Sequence, residues 1–89
     1  MGYDAFVKQF ELFPNPNDGS FEVGVALAQE SDITVSVWRA ETGSLVGKLL
    51  EHGGDSYKLF FDLRPLSSGL YVLRLDHAKG KAYIRFIVQ

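Results

Sequence analysis

Apolar and polar residues alternate with a period of two through most of the chain. In SFEVGVALA every second residue from Phe21 to Leu27 is large and apolar, and the positions between them hold Glu22, Gly24 and Ala26. The same alternation runs through DITVSVWRA, YKLFFDL, LYVLRLD and KAYIRFIVQ. Alternation over five or more residues is typical of a β-strand with one buried and one solvated side. The pattern therefore predicts strands, and no stretch of the chain has a helical apolar stripe.

Turn-forming segments separate the alternating runs at intervals of about ten residues. They are PNPNDG, QESD, ETG, HGGD, RPLSSG and HAKG. With FVKQFELF at the start and SLVGKLL in the middle, the predicted strands lie near residues 6–13, 20–28, 32–39, 44–50, 56–62, 69–76 and 81–88. About seven short antiparallel strands with regular turns predict an all-β fold, an immunoglobulin-like β-sandwich.

Composition narrows the functional classes. A chain of 89 residues with 46% hydrophobic and 22% charged residues is expected to form one globular domain. The absence of cysteine excludes a disulfide framework, a thiolate metal site and a cysteine nucleophile. The net charge of −2 gives no case for nucleic-acid binding, although residues 64–89 carry five basic side chains and one acidic one. No apolar run is long enough to span a bilayer, and the N-terminus lacks the apolar centre of a signal peptide. If the protein is exported, we expect the chain to be a piece of a longer precursor.

The segment FPNPNDGSF, residues 13–21, concentrates turn-forming residues. Its prolines cannot donate to a sheet ladder, so it must be an edge or a crossover between strands. Asn17 and Asp18 can bond to nearby backbone, and Gly19 tolerates positive φ. The alternative is a metal site at Asn15, Asn17 and Asp18, but an EF-hand loop needs about five spaced oxygen ligands and a glutamate at its twelfth position. We therefore predict a rigid turn that leads into the next strand.

Neither histidine predicts catalysis. His52 and His77 both lie in turns, each beside an acidic residue. Ser67 and Ser68 are possible nucleophiles, but no Gly-x-Ser-x-Gly elbow surrounds them. A small sandwich also has little room for the paired-carboxylate cleft of a glycosidase. We predict no catalytic residue, metal site or cofactor.

Two further features have more than one interpretation. Trp38 falls on the polar side of its strand, where it can stack on a sugar, contact a partner or pack under a loop, and we favour packing. Lys81 and Arg85 lie on the last strand, which is basic on one side and apolar on the other. They are either a solvated surface or part of a strand presented to a receptor, and composition does not decide between these.

Three motifs in a fixed order resemble a known family. They are FPNPNDGSF at residues 13–21, ITVSVWRAETGSLV at residues 33–46, and LRPLSSGLYVLRL at residues 63–75 followed by GKAYIRFIVQ to the end. Together they resemble the C-terminal sorting domain, type A, of the type IX (Por) secretion system of Bacteroidetes. The resemblance covers about residues 10 to 89.

The resemblance implies which residues form the sorting signal. The implied motif residues are Pro14, Asn15, Pro16, Gly19, Gly43, Leu66, Gly69, Tyr71, Lys81, Arg85, Phe86, Ile87, Val88 and Gln89. The chain departs from the family at Ser44, where a lysine or arginine usually follows the hairpin glycine. Independently of the resemblance, Gly69 can supply a backbone shape that a β-carbon would hinder, and Tyr71 can bury its ring while its hydroxyl stays bonded.

With the resemblance, the chain divides into residues 1–9, a lead-in or linker with the start of the first strand, and residues 10–89, a sorting domain formed by a single β-sandwich. Such domains follow a cargo protein in the same chain, fold in the periplasm and are recognised by the outer-membrane translocon. A cell-surface sortase commonly removes them, here near or upstream of Gly2, and the cargo reaches the cell surface or is secreted. A homodimer through exposed edge strands is a further possibility.

Two rival hypotheses belong to other functional classes. The first is an immunoglobulin-like accessory module that binds a glycan or adheres to a surface through Trp38, Tyr57 and Phe60. The second is an enzyme, for which the sequence offers no residues.

Overall fold

The computed structural model describes residues 5–89, which form seven strands and no helix. The strands are β1 (Val7–Phe13), β2 (Ser20–Leu27), β3 (Ile33–Arg39), β4 (Leu45–Glu51), β5 (Ser56–Asp62), β6 (Gly69–His77) and β7 (Gly80–Val88). No predicted boundary differs from the observed one by more than one residue. The immunoglobulin-like β-sandwich that the alternation predicts is confirmed.

The predicted N-terminal segment, residues 1–9, is expected to include the start of the first strand, and β1 begins at Val7. Residues 1–4 lie outside the described part of the chain, and so does the expected cleavage position near Gly2. The boundary between lead-in and domain stays a prediction.

The strands form two antiparallel sheets. One has three strands in the order β1-β2-β5, and the other has four in the order β4-β3-β6-β7. Hairpins connect β1 to β2, β3 to β4 and β6 to β7, while the remaining connections cross between the sheets. The edge strands β1 and β7, from different sheets, contact each other on one side of the sandwich. The first and the last strand of the folded domain therefore lie side by side.

The core lies between the inward sides of the two sheets. In β2, every second residue from Phe21 to Leu27 is buried, and the residues between them are partly exposed. In β3, Val35 and Val37 have no exposed surface. Burial of each such side chain stabilises the fold by about 1.5–3 kcal/mol relative to leaving it in water. The alternation seen in the sequence is thus the alternation between core and surface.

Candidate recognition site around the C-terminal strand

The loop between β1 and β2 (residues 14–19, the β1–β2 loop) is held together by one of its own side chains. The Asn17 side chain donates from Nδ2 to the Pro14 carbonyl oxygen at 3.0 Å and accepts at Oδ1 from the Gly19 N–H at 2.9 Å. Gly19 has a φ of 102°, and asparagine followed by such a glycine is a common turn former. The loop joins adjacent strands of one sheet, so it is not a crossover between sheets.

The same loop also binds the last strand of the other sheet. Asn15 Oδ1 accepts a hydrogen bond from the Ile87 N–H at 2.9 Å. The Asn17 N–H donates to the Ile87 carbonyl at 3.0 Å, and the Asn17 carbonyl accepts from the Gln89 N–H at 2.8 Å. We call these three bonds the latch. They satisfy outward-facing backbone groups at the end of an edge strand, so the edge of β7 is closed there.

The latch could not be anticipated from local sequence. Asn15 is part of a recognisable motif, but its partner Ile87 lies 72 positions away. Asn17 is 6% exposed, and no rule of local turn chemistry signals that its backbone pairs with β7. The latch arises because the edges of β1 and β7 meet in the folded sandwich.

An exposed ion pair lies at the base of the β1–β2 loop. Arg64 donates two hydrogen bonds to the Asp62 carboxylate, from Nε at 2.8 Å and from Nη2 at 2.9 Å. The side-chain bond from Arg64, helped by its backbone N–H, lowers the pKa of Asp62 to about 2. The Asp62 carboxylate in turn raises the pKa of Arg64. Arg64 Nη1 also lies 3.9 Å from the Asp18 carboxylate, which connects the pair to the loop.

The motif Leu66-x-x-Gly69-x-Tyr71 forms the turn into β6. The Tyr71 ring is completely buried, and its hydroxyl donates to the Ser67 carbonyl at 2.7 Å. This arrangement is the tyrosine corner of immunoglobulin-like sandwiches, in which the hydroxyl bonds to backbone a few residues upstream. Gly69 has a φ of 149°, a conformation that side chains with a β-carbon rarely adopt. The motif therefore holds the entry to β6, and the Tyr71 side chain is not accessible to a partner.

Aromatic rings connect the two sheets through Phe86 of β7. Its ring centroid lies 5.8 Å from that of Tyr71 and 4.9 Å from that of Phe21, which stacks on Phe61 at 5.2 Å. The Arg39 guanidinium lies 5.3 Å from the Tyr71 ring centroid, within the range of a cation–π contact. Phe86 is thus a core residue, although it lies within the terminal motif.

The predicted motif residues divide by exposure. Buried are Gly19, Tyr71, Phe86 and Val88, while Leu66 is half-buried. Exposed are Pro14, Asn15, Pro16, Gly43, Gly69, Lys81, Arg85, Ile87 and Gln89. A partner can therefore reach only the exposed residues, and three of these, Asn15, Ile87 and Gln89, also form the latch.

The charged residues of β7 differ in their partners. Lys81 Nζ lies 3.2 Å from Asp76 Oδ1, and Arg74 donates two hydrogen bonds to the same carboxylate, at 2.9 and 3.1 Å. Burial alone would raise the pKa of Asp76, but the hydrogen bonds from Arg74 and Lys81 outweigh it and the pKa is lowered. The side chain of Arg85 forms no ion pair or hydrogen bond with any described residue. Arg85 is therefore an exposed cation that has no carboxylate partner among residues 5–89.

Gly43 lies at the tip of the β3–β4 hairpin. Its N–H donates to the Arg39 carbonyl at 2.8 Å, and the Arg39 N–H donates to the Ser44 carbonyl at 2.8 Å. The Ser44 hydroxyl is hydrogen-bonded to the Thr42 hydroxyl. Ser44, the position where the chain departs from the family pattern, is thus part of the local turn bonding.

The side-chain oxygens of the alternative metal site accept hydrogen bonds from the backbone. Oδ1 of Asn15, Asn17 and Asp18 each accepts a backbone N–H, and the three donors are Ile87, Gly19 and Ser20. Within residues 5–89 no three or more histidine, cysteine, aspartate or glutamate side chains are grouped so that they could hold a metal ion. The loop oxygens therefore support a turn.

The aromatic residues of the glycan-binding alternative do not form one platform. Trp38 is half-buried on the outer side of the four-stranded sheet, and its Nε1 donates to Ser36 Oγ at 2.9 Å. The Tyr57 hydroxyl donates to the Ser31 carbonyl at 2.8 Å, at the end of the sandwich. Phe60 is 69% exposed on the outer side of the three-stranded sheet. Sugar stacking by all three together is not possible in this fold.

The histidines and serines also lie apart. His52 Nδ1 is 3.4 Å from Asp32 Oδ2. Among residues 5–89 no hydrogen bond joins His52 or His77 to a hydroxyl of Ser67 or Ser68.

The described residues contain no helix long and apolar enough to cross a membrane.

Comparison with known families covers almost the whole chain. Residues 11–89 match the family described as secretion system C-terminal sorting domain, Por_Secre_tail. No curated protein is significantly similar to the chain. The match includes the β1–β2 loop, the Tyr71 turn and all of β7. Members of this family are sorting signals rather than catalysts. A sorting domain implies interaction with the type IX machinery and export to the cell surface or secretion. The chain therefore belongs to the family of type IX secretion C-terminal sorting domains.

Proposed function

We propose that this domain is a folded export signal that takes a cargo protein, joined upstream in the same chain, from the periplasm through the type IX outer-membrane translocon. The observation that carries the proposal is the latch. Its three hydrogen bonds hold the end of β7 against the β1–β2 loop, so the terminal strand is presented in one conformation. A rigid, pre-formed strand loses little conformational freedom on binding a receptor.

The motif residues have two roles in this proposal. The buried set, which includes Tyr71 and Phe86, stabilises the sandwich. The exposed set, which includes Lys81, Arg85 and Ile87, contacts the translocon. The division in exposure supports these roles, because a receptor contacts only side chains that reach the surface.

A sortase then cleaves upstream of the sandwich, near Gly2. In support, β1 begins at Val7, so a cut at that position leaves every described strand in the fragment that is removed. The mass of the reporter released from the fusion described below checks this step. A released reporter that still carries β1 would contradict it.

The test of the proposal is a fusion of residues 1–89 to a secreted periplasmic reporter in a bacterium with a working type IX system. We expect the reporter at the cell surface or in the medium, and we expect loss of delivery when residues 80–89 are deleted. A strain without the translocon is the control. An intact fusion that stays in the periplasm would contradict the whole proposal, and delivery that survives the deletion would contradict the role of β7.

A substitution in the core tests whether the export signal is the folded domain or only its linear sequence. Val35 has no exposed surface, so Val35→Asp places a charge in the core and is expected to unfold the domain while every motif residue is kept. Circular dichroism of the purified chain checks the unfolding. If the unfolded variant is delivered as well as wild type, the signal is a linear sequence and the proposal of a folded signal is wrong.

Self-association through an edge strand stays a prediction. The latch closes the end of β7, so the outer edge of β5 or β4 is the more open place for two copies to pair. Analytical ultracentrifugation of the purified chain measures this directly. A monomer at all accessible concentrations would exclude the dimer.

A further inference from the structure

The outer side of the four-stranded sheet carries aromatic, aliphatic and basic side chains together. The strand register places one row of residues side by side across β7, β6, β3 and β4, namely Arg85, Val72, Trp38 and Leu45. In the next row Tyr83 lies opposite Arg74. We call the surface made by these six residues the basic–aromatic face.

The basic–aromatic face is open and partly concave. Tyr83 is 59% exposed and Leu45 is 47% exposed, although an outer sheet side usually carries polar residues. A cavity of about 310 Å³ lies between Trp38, Arg74 and Tyr83, and it extends to Gly43. Tryptophan, tyrosine and arginine are the residue types that most often dominate the binding energy of interfaces. This surface therefore has both the shape and the composition of a docking site.

Positive charge is concentrated on the same side, although the chain as a whole has a formal net charge of −2. The Asp76 carboxylate is shared by Arg74 and Lys81. The side chains of Lys48 and Arg85 form no ion pair with any described residue. Two cations are thus available for carboxylates of a partner.

The latch makes approach of a partner to the edge of β7 less favourable than approach to the outer side of the sheet. The outward-facing backbone groups of Ile87 and Gln89 are bonded to Asn15 and Asn17. A partner strand that paired along the C-terminal end of β7 would have to break these bonds. The exposed side chains of β7, by contrast, point outward from the sheet and need no such rearrangement. Recognition through the face is therefore favoured over recognition through the edge.

We propose that the basic–aromatic face docks onto an acidic and apolar protein surface of the export machinery. Trp38 and Tyr83 are the apolar anchors, and Arg85 pairs with a carboxylate of the partner. Charge complementarity selects the partner, because a basic patch on an otherwise acidic domain gains most from an acidic surface. The inference rests on the proposed function and specifies which surface of the domain is recognised.

The experiment uses the reporter fusion with single substitutions on the two outer sides of the sandwich. On the basic–aromatic face they are Arg85→Glu and Tyr83→Ala, and on the three-stranded sheet they are the matched controls Lys8→Glu and Phe60→Ala. We expect the first pair to lower surface delivery at least about tenfold, as loss of an interface hot spot does. We expect the controls to stay within about twofold of wild type, as exposed positions away from an interface do. Arg85→Lys keeps the charge and should retain delivery.

Thermal unfolding of each purified variant checks that the chain still folds. If Arg85→Glu and Tyr83→Ala are folded and delivered at the wild-type level, the inference is overturned while the proposed function stands. If the intact fusion is not delivered, both the inference and the proposed function are overturned.

A dimer that Arg85→Glu dissociates would show that a second copy of the chain covers the face. Binding to phosphatidylglycerol vesicles that Arg85→Glu abolishes would point to a lipid surface. Either result would overturn the assignment of the export machinery as the partner of this face.

Discussion

The side-chain oxygen of Asn15 accepts a hydrogen bond at 2.9 Å from the backbone N–H of Ile87, a residue 72 positions further along the chain. This bond joins the loop of the three-stranded sheet to the edge strand of the four-stranded sheet. Two sequence motifs at opposite ends of the domain are therefore parts of one structural unit. A change in the first motif is expected to alter the environment of the second.

Replacing Asn15 tests this connection. Asn15→Ala removes the acceptor of the Ile87 N–H, and because the bond is exposed we expect the free energy of unfolding to fall by at most about 1 kcal/mol. Hydrogen exchange of the Ile87 amide, followed by NMR, should become faster. Asn15→Asp keeps an oxygen at the same place and should keep the exchange slow. Unchanged exchange in Asn15→Ala would show that the bond does not form in solution.

The tyrosine corner is tested by removing a single hydroxyl. Tyr71→Phe leaves the Ser67 carbonyl without its donor, and we expect the free energy of unfolding to fall by about 1 kcal/mol. Urea denaturation measures the change. Tyr83→Phe is the matched control, because the Tyr83 ring is 59% exposed, and its effect should stay within about 0.5 kcal/mol. Equal stability of the two variants would argue against a structural role for the Tyr71 hydroxyl.

At Gly69, the effect of backbone conformation on stability can be distinguished from the effect of steric crowding. A β-carbon there would meet no atom within 4 Å, yet the φ of 149° is one that L-residues rarely adopt. We expect Gly69→Ala to lower the free energy of unfolding by roughly 1–3 kcal/mol, the usual cost of a strained backbone conformation. Ser68→Ala, one position earlier and also exposed, should have little effect. In a chemically synthesised chain, D-alanine at position 69 favours positive φ and should restore stability, and failure to do so would point to another cause.

Acid should destabilise the domain partly through Asp62. The pKa of Asp62 is lowered from 3.8 to about 2 in the folded state by hydrogen bonds from Arg64. The folded state therefore binds this proton less readily than the unfolded state, so the stabilising contribution is complete above pH 3.8 and is lost as the pH falls towards about 2.

Urea midpoints measured across that range check this expectation. The fall in midpoint should be smaller in Asp62→Asn than in wild type, since the substituted side chain does not titrate. Glu41→Gln, another exposed acidic position, serves as the control. An equally large fall in Asp62→Asn would show that other carboxylates account for the acid sensitivity, among them Asp76, whose pKa is also lowered.

Parts of the candidate site follow from local sequence. The roles of Gly69 and Tyr71 could be stated beforehand, because a backbone conformation and a buried ring are properties of a short segment. The exposure of Lys81 and Arg85 could also be stated, because alternation assigns each residue to one side of its strand. Whether these cations have partners could not, since the carboxylate that Lys81 contacts belongs to another strand.

Local sequence patterns alone define all seven strands and, for β2, β3, β5, β6 and β7, which residues face inward and which face outward. The predicted fifth strand, residues 56–62, coincides with β5, because burial with a period of two is a local signal. Three relationships are visible only in the folded domain: β5 pairs with β2 and β6 with β3, the β1–β2 loop binds the end of β7, and Trp38 and Tyr83 lie on one face. These relationships join residues far apart in the chain, and they depend on which sheet surfaces pack together. No short segment carries that information, because pairing is selected by the burial of the whole core.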